Sequence, residues 1–291
     1  MIKIFKQAAE ILKDNVIIIQ PLIIFWLIAG LVMDPFVQGQ QTLQTNKGLF
    51  TLLTVFLLSS AFLAGWYYII KLAVVRKNQA YKTPEEKALA SISLLKEFFT
   101  GVGEFCIPML LSIILYIVIL FITVFVIYKI GVHYIGHLDL NDKTLKALYS
   151  PISATDIQTA KDGLIIPAQT VFYLKWLLLF SIGHYVFSFL SLFFGAVIVC
   201  DTKNPLKALY LNISFIVKNF LGAMAVFLFL AFLNLVLFFI NIIFAQNMLL
   251  SILSLALFLF YVSYYMVLVF LYYDEKKENH CDSGSECLGQ N

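Results

Sequence analysis

Charged residues are scarce in this sequence: Asp, Glu, Lys and Arg supply 13% of its 291 residues, where a typical soluble domain has about 25%. Apolar side chains make up 61%, and the mean hydropathy is +0.90. Such a chain cannot show water a mostly polar surface, which excludes a soluble globular fold. Acidic side chains are missing from the middle of every long apolar run, which argues against an ion-coupled transporter with a carboxylate switch. Also missing are a Gly-x-Ser-x-Gly elbow, a P-loop, a dinucleotide fingerprint and a Cys-x-x-Cys pair. With no poised nucleophile or acid–base pair in view, the chain reads as non-enzymatic and without a cofactor. The net charge of +3 is too small to imply a nucleic-acid partner.

What the sequence does have is long apolar runs, at 15–33, 49–75, 105–130, 171–200, 220–243 and 248–273. About 20 apolar residues cross a hydrocarbon core of ~30 Å, so each qualifies as a span. Backbone in lipid must bond to itself, which leaves helices or a closed barrel. None of the runs alternates with period 2 as barrel strands do. The predicted fold is therefore all-α: a polytopic membrane protein of six spans, with a seventh only if the fourth run is broken. Residues 1–273 form the membrane domain, 131–170 an insert on the outer side, and 274–291 a flexible polar tail. Within the insert, 141–149 and 153–163 read as short helices. The first run is too long for a secretory signal and no A-x-A site follows it, so it is expected to remain as a span.

Charge placement sets the orientation. With the N-terminus inside, inner segments hold 14 of the 20 Lys and Arg residues and outer segments hold 6. That is the positive-inside bias, and it puts both termini in the cytoplasm of a cell membrane. Cys106, Cys200, Cys281 and Cys287 then sit on the reducing side. Cys281 and Cys287 with His280 are one ligand short of a closed zinc site.

Three inner stretches read as amphipathic helices lying on the membrane, each directly before a span: 2–13, 84–99 and 205–218. The chain thus reads as three copies of interfacial helix, span and return span. Lys3, Lys6 and Lys13 on the first, and Lys203, Lys207 and Lys218 around the third, are expected to attract anionic lipid headgroups. In the middle stretch Glu85, Glu86 and Glu97 offset the lysines, so the first and third should dominate.

Polar stripes mark the spans. Ser181, His184, Ser188, Ser191 and Gly195 recur at 3-4-3-4 spacing, which puts them on one face of the fourth. Small and hydroxyl residues at that spacing let helices approach closely, so these, with His184, are expected to face the bundle interior. Phe187, Phe189 or Phe193 would then meet lipid or neighbouring spans. Asn234 and Asn241 share a face of the fifth span and are assigned to the interior too. Ser60, Ala64, Tyr67 and Lys71 form a further stripe, with Lys71 near enough to the inner end to snorkel. A solute path lined by Ser188, Asn234 and Tyr67 would make the chain a permease component for an uncharged or amphipathic solute. A filled bundle with exposed basic helices would make it an organiser of membrane lipid. His133 and His137, four apart with Asp139 nearby, are weak metal candidates; the ligand set is incomplete.

The run Val199-Cys200-Asp201-Thr202-Lys203-Asn204-Pro205-Leu206-Lys207-Ala208-Leu209, then Ser214 and Lys218-Asn219-Phe220, follows a pattern. A span ends in an acidic residue, a Pro-x-x-Ala-Leu helix follows, and a basic-Asn pair precedes the next span. With the opening Phe5-Lys6-Gln7-Ala8, Leu12-Lys13-Asp14-Asn15 and Pro21-Leu22, it resembles a family of six-helix bacterial membrane domains. These are found attached to some glycerophosphoryl diester phosphodiesterases and elsewhere alone. The phosphodiesterase catalytic domain has no counterpart in this sequence, so the resemblance implies a membrane domain and no hydrolase activity.

Overall fold

The computed structural model describes residues 1–37, 46–79, 83–138, 168–244 and 247–282. Among them every regular element is a helix, and six helices are long and apolar enough to cross a membrane. This is an all-α, multi-pass membrane protein. The helices are α1 (Ile2–Asp14), α2 (Ile19–Val37), α3 (Asn46–Val75), α4 (Pro84–Tyr134), α5 (Ala168–Leu190), α6 (Phe194–Cys200), α7 (Pro205–Lys218), α8 (Phe220–Phe244) and α9 (Met248–Asp282). The expected short helices at 141–149 and 153–163, and Asp139, lie outside the described residues. So do Cys287 and the tail from 283 onward.

Local chemistry explains most boundaries. Pro84 opens α4 with Glu85 and Glu86 in its first turn, and the Glu86 amide donates to Thr83 Oγ1 at 3.1 Å. Pro205 opens α7, where Asn204 Oδ1 accepts from the amides of Leu206 and Lys207. Two expectations are corrected here. The interfacial stretch 84–99 and the span 105–130 are one continuous helix of 51 residues, which runs on through Pro108 although that residue has no N–H to donate. Residues 274–282, assigned to a flexible tail, continue α9; Glu275, Lys276 and Lys277 are good helix formers that prolong it.

The chain divides into two compact units, Met1–Leu115 with Phe189–Asn291, and Tyr116–Ser188. In the first, the core is aromatic and aliphatic: Trp66, Ile69, Phe193, Leu268, Phe270 and Tyr272 are all essentially inaccessible. Trp66 Nε1 donates to the Ile18 carbonyl at 2.9 Å, tying α3 to the 3₁₀ turn before α2. Helix α1 packs on α9: Ile4, Ala8, Ile11 and Leu12 are buried, and Tyr264 donates to the Phe5 carbonyl at 3.2 Å. Phe5 also stacks on Phe229 of α8 with centroids 4.2 Å apart. The apolar face of α1 therefore meets protein, not acyl chains.

The second unit is the pairing of α4 and α5. Its seam runs through Trp176, Phe180, Gly183 and Phe187, spaced 4-3-4. A Cβ at Gly131 would run into the Trp176 ring, and one at Gly183 into Ile127, so two glycines set the closeness of the helices. Tyr128 meets Trp176 at 5.8 Å and Tyr116 meets Phe187 at 4.7 Å between centroids.

Candidate functional site

The fourth apolar run is broken. Helix α5 stops at Leu190 and α6 starts at Phe194, with a turn over 191–193 between them. A break inside a buried span strands backbone groups that lipid cannot satisfy. Asn212, fully buried on α7, meets two of them. Its Nδ2 donates to the Leu190 carbonyl at 2.5 Å, and its Oδ1 accepts from the Phe193 amide at 3.2 Å. One side chain thus bridges both sides of the gap. Helix α6 is buried at Phe194 and from Ala196 to Val199, and Gly195 lets it approach α3: a Cβ there would lie 2.5 Å from the Tyr67 ring.

The far end of α6 is held by charge. Lys71 Nζ donates to the Val199 carbonyl at 2.8 Å, placing an ammonium where the last carbonyls and the helix dipole are negative. Lys71 therefore binds backbone and does not snorkel outward. Just beyond, Asp201 accepts from the Tyr273 hydroxyl and the Lys277 ammonium. Lys77, its side chain only 8% exposed, pairs with Asp274 at 3.2 Å. A cavity of about 110 Å³ lies among Lys71, Cys200, Tyr273, Asp274 and Lys277. Three lysines and two aspartates from α3, its following turn, the α6 terminus and α9 thus make one latch at the span ends. Every charge in it faces an opposite charge or a helix terminus, which suits a clamp better than a proton relay.

The predicted interior stripe is corrected. His184 is exposed, in edge contact with Tyr185 at 6.0 Å, and Ser181, Ser188 and Ser191 are only half-buried. Of the two surroundings expected for Phe187, Phe189 and Phe193, they take the neighbouring helices: all three are buried. Within the second unit the seam lies one residue away from the hydroxyl stripe, a rotation of about 100°. Large aromatic rings bury far more area than serines, so they take the contact face. Asn234, assigned to the interior, is exposed. Asn241 is also exposed, yet it accepts a hydrogen bond from buried Ser254 of α9. Ser60 and Ala64 are buried as their stripe implied, with Ser60 Oγ 3.6 Å from Cys106 Sγ.

At the end of α4 the metal candidates separate. The helix ends at Tyr134, and Gly136 turns the chain with φ +114° before His137. The i, i+4 geometry the pair needs is therefore lost, and both imidazoles are exposed. Among the described residues no three His, Cys, Asp or Glu side chains gather as a metal site.

The six named lysines are all exposed. Lys6 lies 3.9 Å from Glu10, and Lys203 pairs with Glu104 at 2.9 Å with its ammonium 5.2 Å from the Phe105 ring. Sequence reasoning missed Asn212 and the latch. The signal for Asn212 was present: it falls at the centre of Ala208-Asn212-Ile216, an i, i+4, i+8 stripe that is otherwise apolar. Compared with protein-family models, curated proteins and solved structures, the chain matches none.

Proposed function

We propose that this protein is a non-enzymatic organiser of membrane lipid, which holds headgroups along its basic side. The observation that carries the reading is α7. Its Ala208, Asn212 and Ile216 stripe packs inward, and a second apolar stripe of Leu206, Tyr210, Ile213 and Val217 is left exposed, with Lys207 and Lys218 also exposed on the same helix. An apolar stripe with lysines beside it suits a helix at headgroup level, apolar side toward the acyl chains. The start of α4 offers Leu89, Ile92 and Phe99 in the same way. Helix α1 contributes only its lysines, since its apolar face is covered by α9. The reading agrees with the resemblance to stand-alone bacterial six-helix membrane domains.

In nanodiscs of mixed phosphatidylglycerol and phosphatidylcholine, the full chain is expected to enrich the anionic lipid around it. Replacing both Lys207 and Lys218 by Gln should lower that enrichment. Each lysine near an anionic surface is worth about 1 kcal/mol, roughly fivefold. An unchanged enrichment in the double variant, measured by mass spectrometry of retained lipid, would reject the reading.

The orientation belongs to the same proposal: basic side and both termini inside a bacterial cell membrane. A cysteine probe at position Thr144 should react with an impermeant reagent on intact cells, and one at Ser283 should react only after permeabilisation. Labelling of the Ser283 probe on intact cells would reverse the topology.

A further inference from the structure

A cavity of about 470 Å³ opens between α1 and the turn that follows α3. That volume lies within the roughly 300–1,000 Å³ of small-molecule sites, and it is more than a bare phosphate fills. Lys3, Lys6, Gln7, Glu10 and Asp14 line it from α1, with Lys6 paired to Glu10, and Arg76 and Lys77 line it from the turn. Lys3, Gln7, Glu10 and Asp14 recur at 4-3-4 spacing, so they form one stripe beside the buried face that packs on α9.

Two features indicate an occupant. The first is depth in the membrane. One span begins at Val16 and the next ends at Val75, and the cavity wall includes the residues immediately outside them, Asn15 and Arg76. It therefore sits where apolar helix gives way to headgroups. The second is Gln7, whose Oε1 is buried with no hydrogen-bond partner. A buried acceptor without a donor is costly, and a bound molecule carrying a hydroxyl would supply one.

We propose that this cavity binds a phosphorylated polyol headgroup, with its phosphate on Lys3 and Arg76 and a hydroxyl on Gln7. This deepens the lipid-contact reading and rests on it. Arg76 donates through Nη1 to Ser93 Oγ at 3.0 Å, which orients the guanidinium and leaves its other N–H groups for an anion. The Gln7 oxygen is an acceptor, so an ion with acceptor oxygens alone leaves it unmatched. A hydroxyl group beside the phosphate supplies the donor.

The test uses the full chain in detergent, titrated with phosphatidylglycerol or phosphatidylcholine and followed by native mass spectrometry. One phosphatidylglycerol is expected to bind at least about tenfold more tightly than phosphatidylcholine. Arg76→Gln and Gln7→Leu should each weaken it by about tenfold, the size expected for a lost charge-assisted or buried hydrogen bond. Gln7→Leu removes an unpartnered polar atom, so it should fold as well as the parent and keeps the test sound if Arg76→Gln does not. Lys207→Gln with Lys218→Gln should leave this one lipid in place. If those two substitutions abolish anionic enrichment while Arg76→Gln and Gln7→Leu bind as the parent does, the cavity proposal is wrong and the surface reading stands. Displacement by soluble glycerol phosphate, but not by equal inorganic phosphate, supports the same chemistry from a water-soluble source. Equal displacement by inorganic phosphate overturns the polyol part.

Discussion

Asn212→Leu is expected to give the largest loss of thermal stability of any single change in α7. The leucine has similar volume, so packing is nearly kept and the effect isolates the amide. What disappears is the bridge from the Leu190 carbonyl to the Phe193 amide, in a place where Asn212 itself has no exposed surface. Each orphaned buried group costs about 1–3 kcal/mol, so the pair should cost on the order of 3 kcal/mol. Asn212→Asp should do no better, because it keeps an acceptor, loses the donor and adds a buried charge. Asn234→Leu is the matched control: that amide is exposed, and its loss should leave the unfolding midpoint unchanged. Unfolding followed by intrinsic fluorescence in detergent decides it. Equal midpoints for Asn212→Leu and the parent would mean that the broken backbone is satisfied in some other way.

Gly65→Leu is expected to force α3 and α4 apart. A Cβ at Gly65 would lie 2.7 Å from the Phe98 ring and 2.8 Å from the Phe98 backbone oxygen. The ring has some freedom to move, but the oxygen belongs to α4 itself. Overpacking of this kind costs about 1–3 kcal/mol, and a leucine should reach the upper end. Gly103→Ala, with nothing within 4 Å of the new methyl, should be neutral or slightly stabilising, as alanine is the better helix former. A lower unfolding midpoint for Gly65→Leu and none for Gly103→Ala is the expected pair. Similar midpoints for both would show that the contact with Phe98 does not limit the approach.

The spans were legible because length and hydropathy decide them almost alone: 15–33 and 171–200 reappear as Val16–Met33 and Val171–Cys200. Which way a span faces was not legible from its polar residues. In the fourth, the hydroxyl stripe and the aromatic stripe lie one residue apart, and both have helical spacing. Spacing alone cannot rank them; the volume of Trp176 and Phe187 does. The amphipathic helices were found by their period, but a period shows only that one face is apolar, not whether lipid or protein covers it. For α1 the cover is α9, far along the chain, and no local pattern signals it. The latch was hidden for a related reason. Lys71, Asp201 and Lys277 look like ordinary end-of-span charges until the fold places α3, α6 and α9 side by side.

The contact of α1 with α9 also orders events during synthesis. The Phe5 carbonyl and the Tyr264 hydroxyl that meet across it are 259 positions apart. A ribosome adds residues one by one at about 5–20 per second, so on the order of ten seconds or more separate the two partners. Throughout that interval Ile4, Ala8, Ile11 and Leu12 lack the α9 surface that packs on them in the fold. The nearest apolar medium is the bilayer surface, and an amphipathic helix with basic residues rests there readily. The contact between the first helix and α9 thus closes only once α9 has been synthesised.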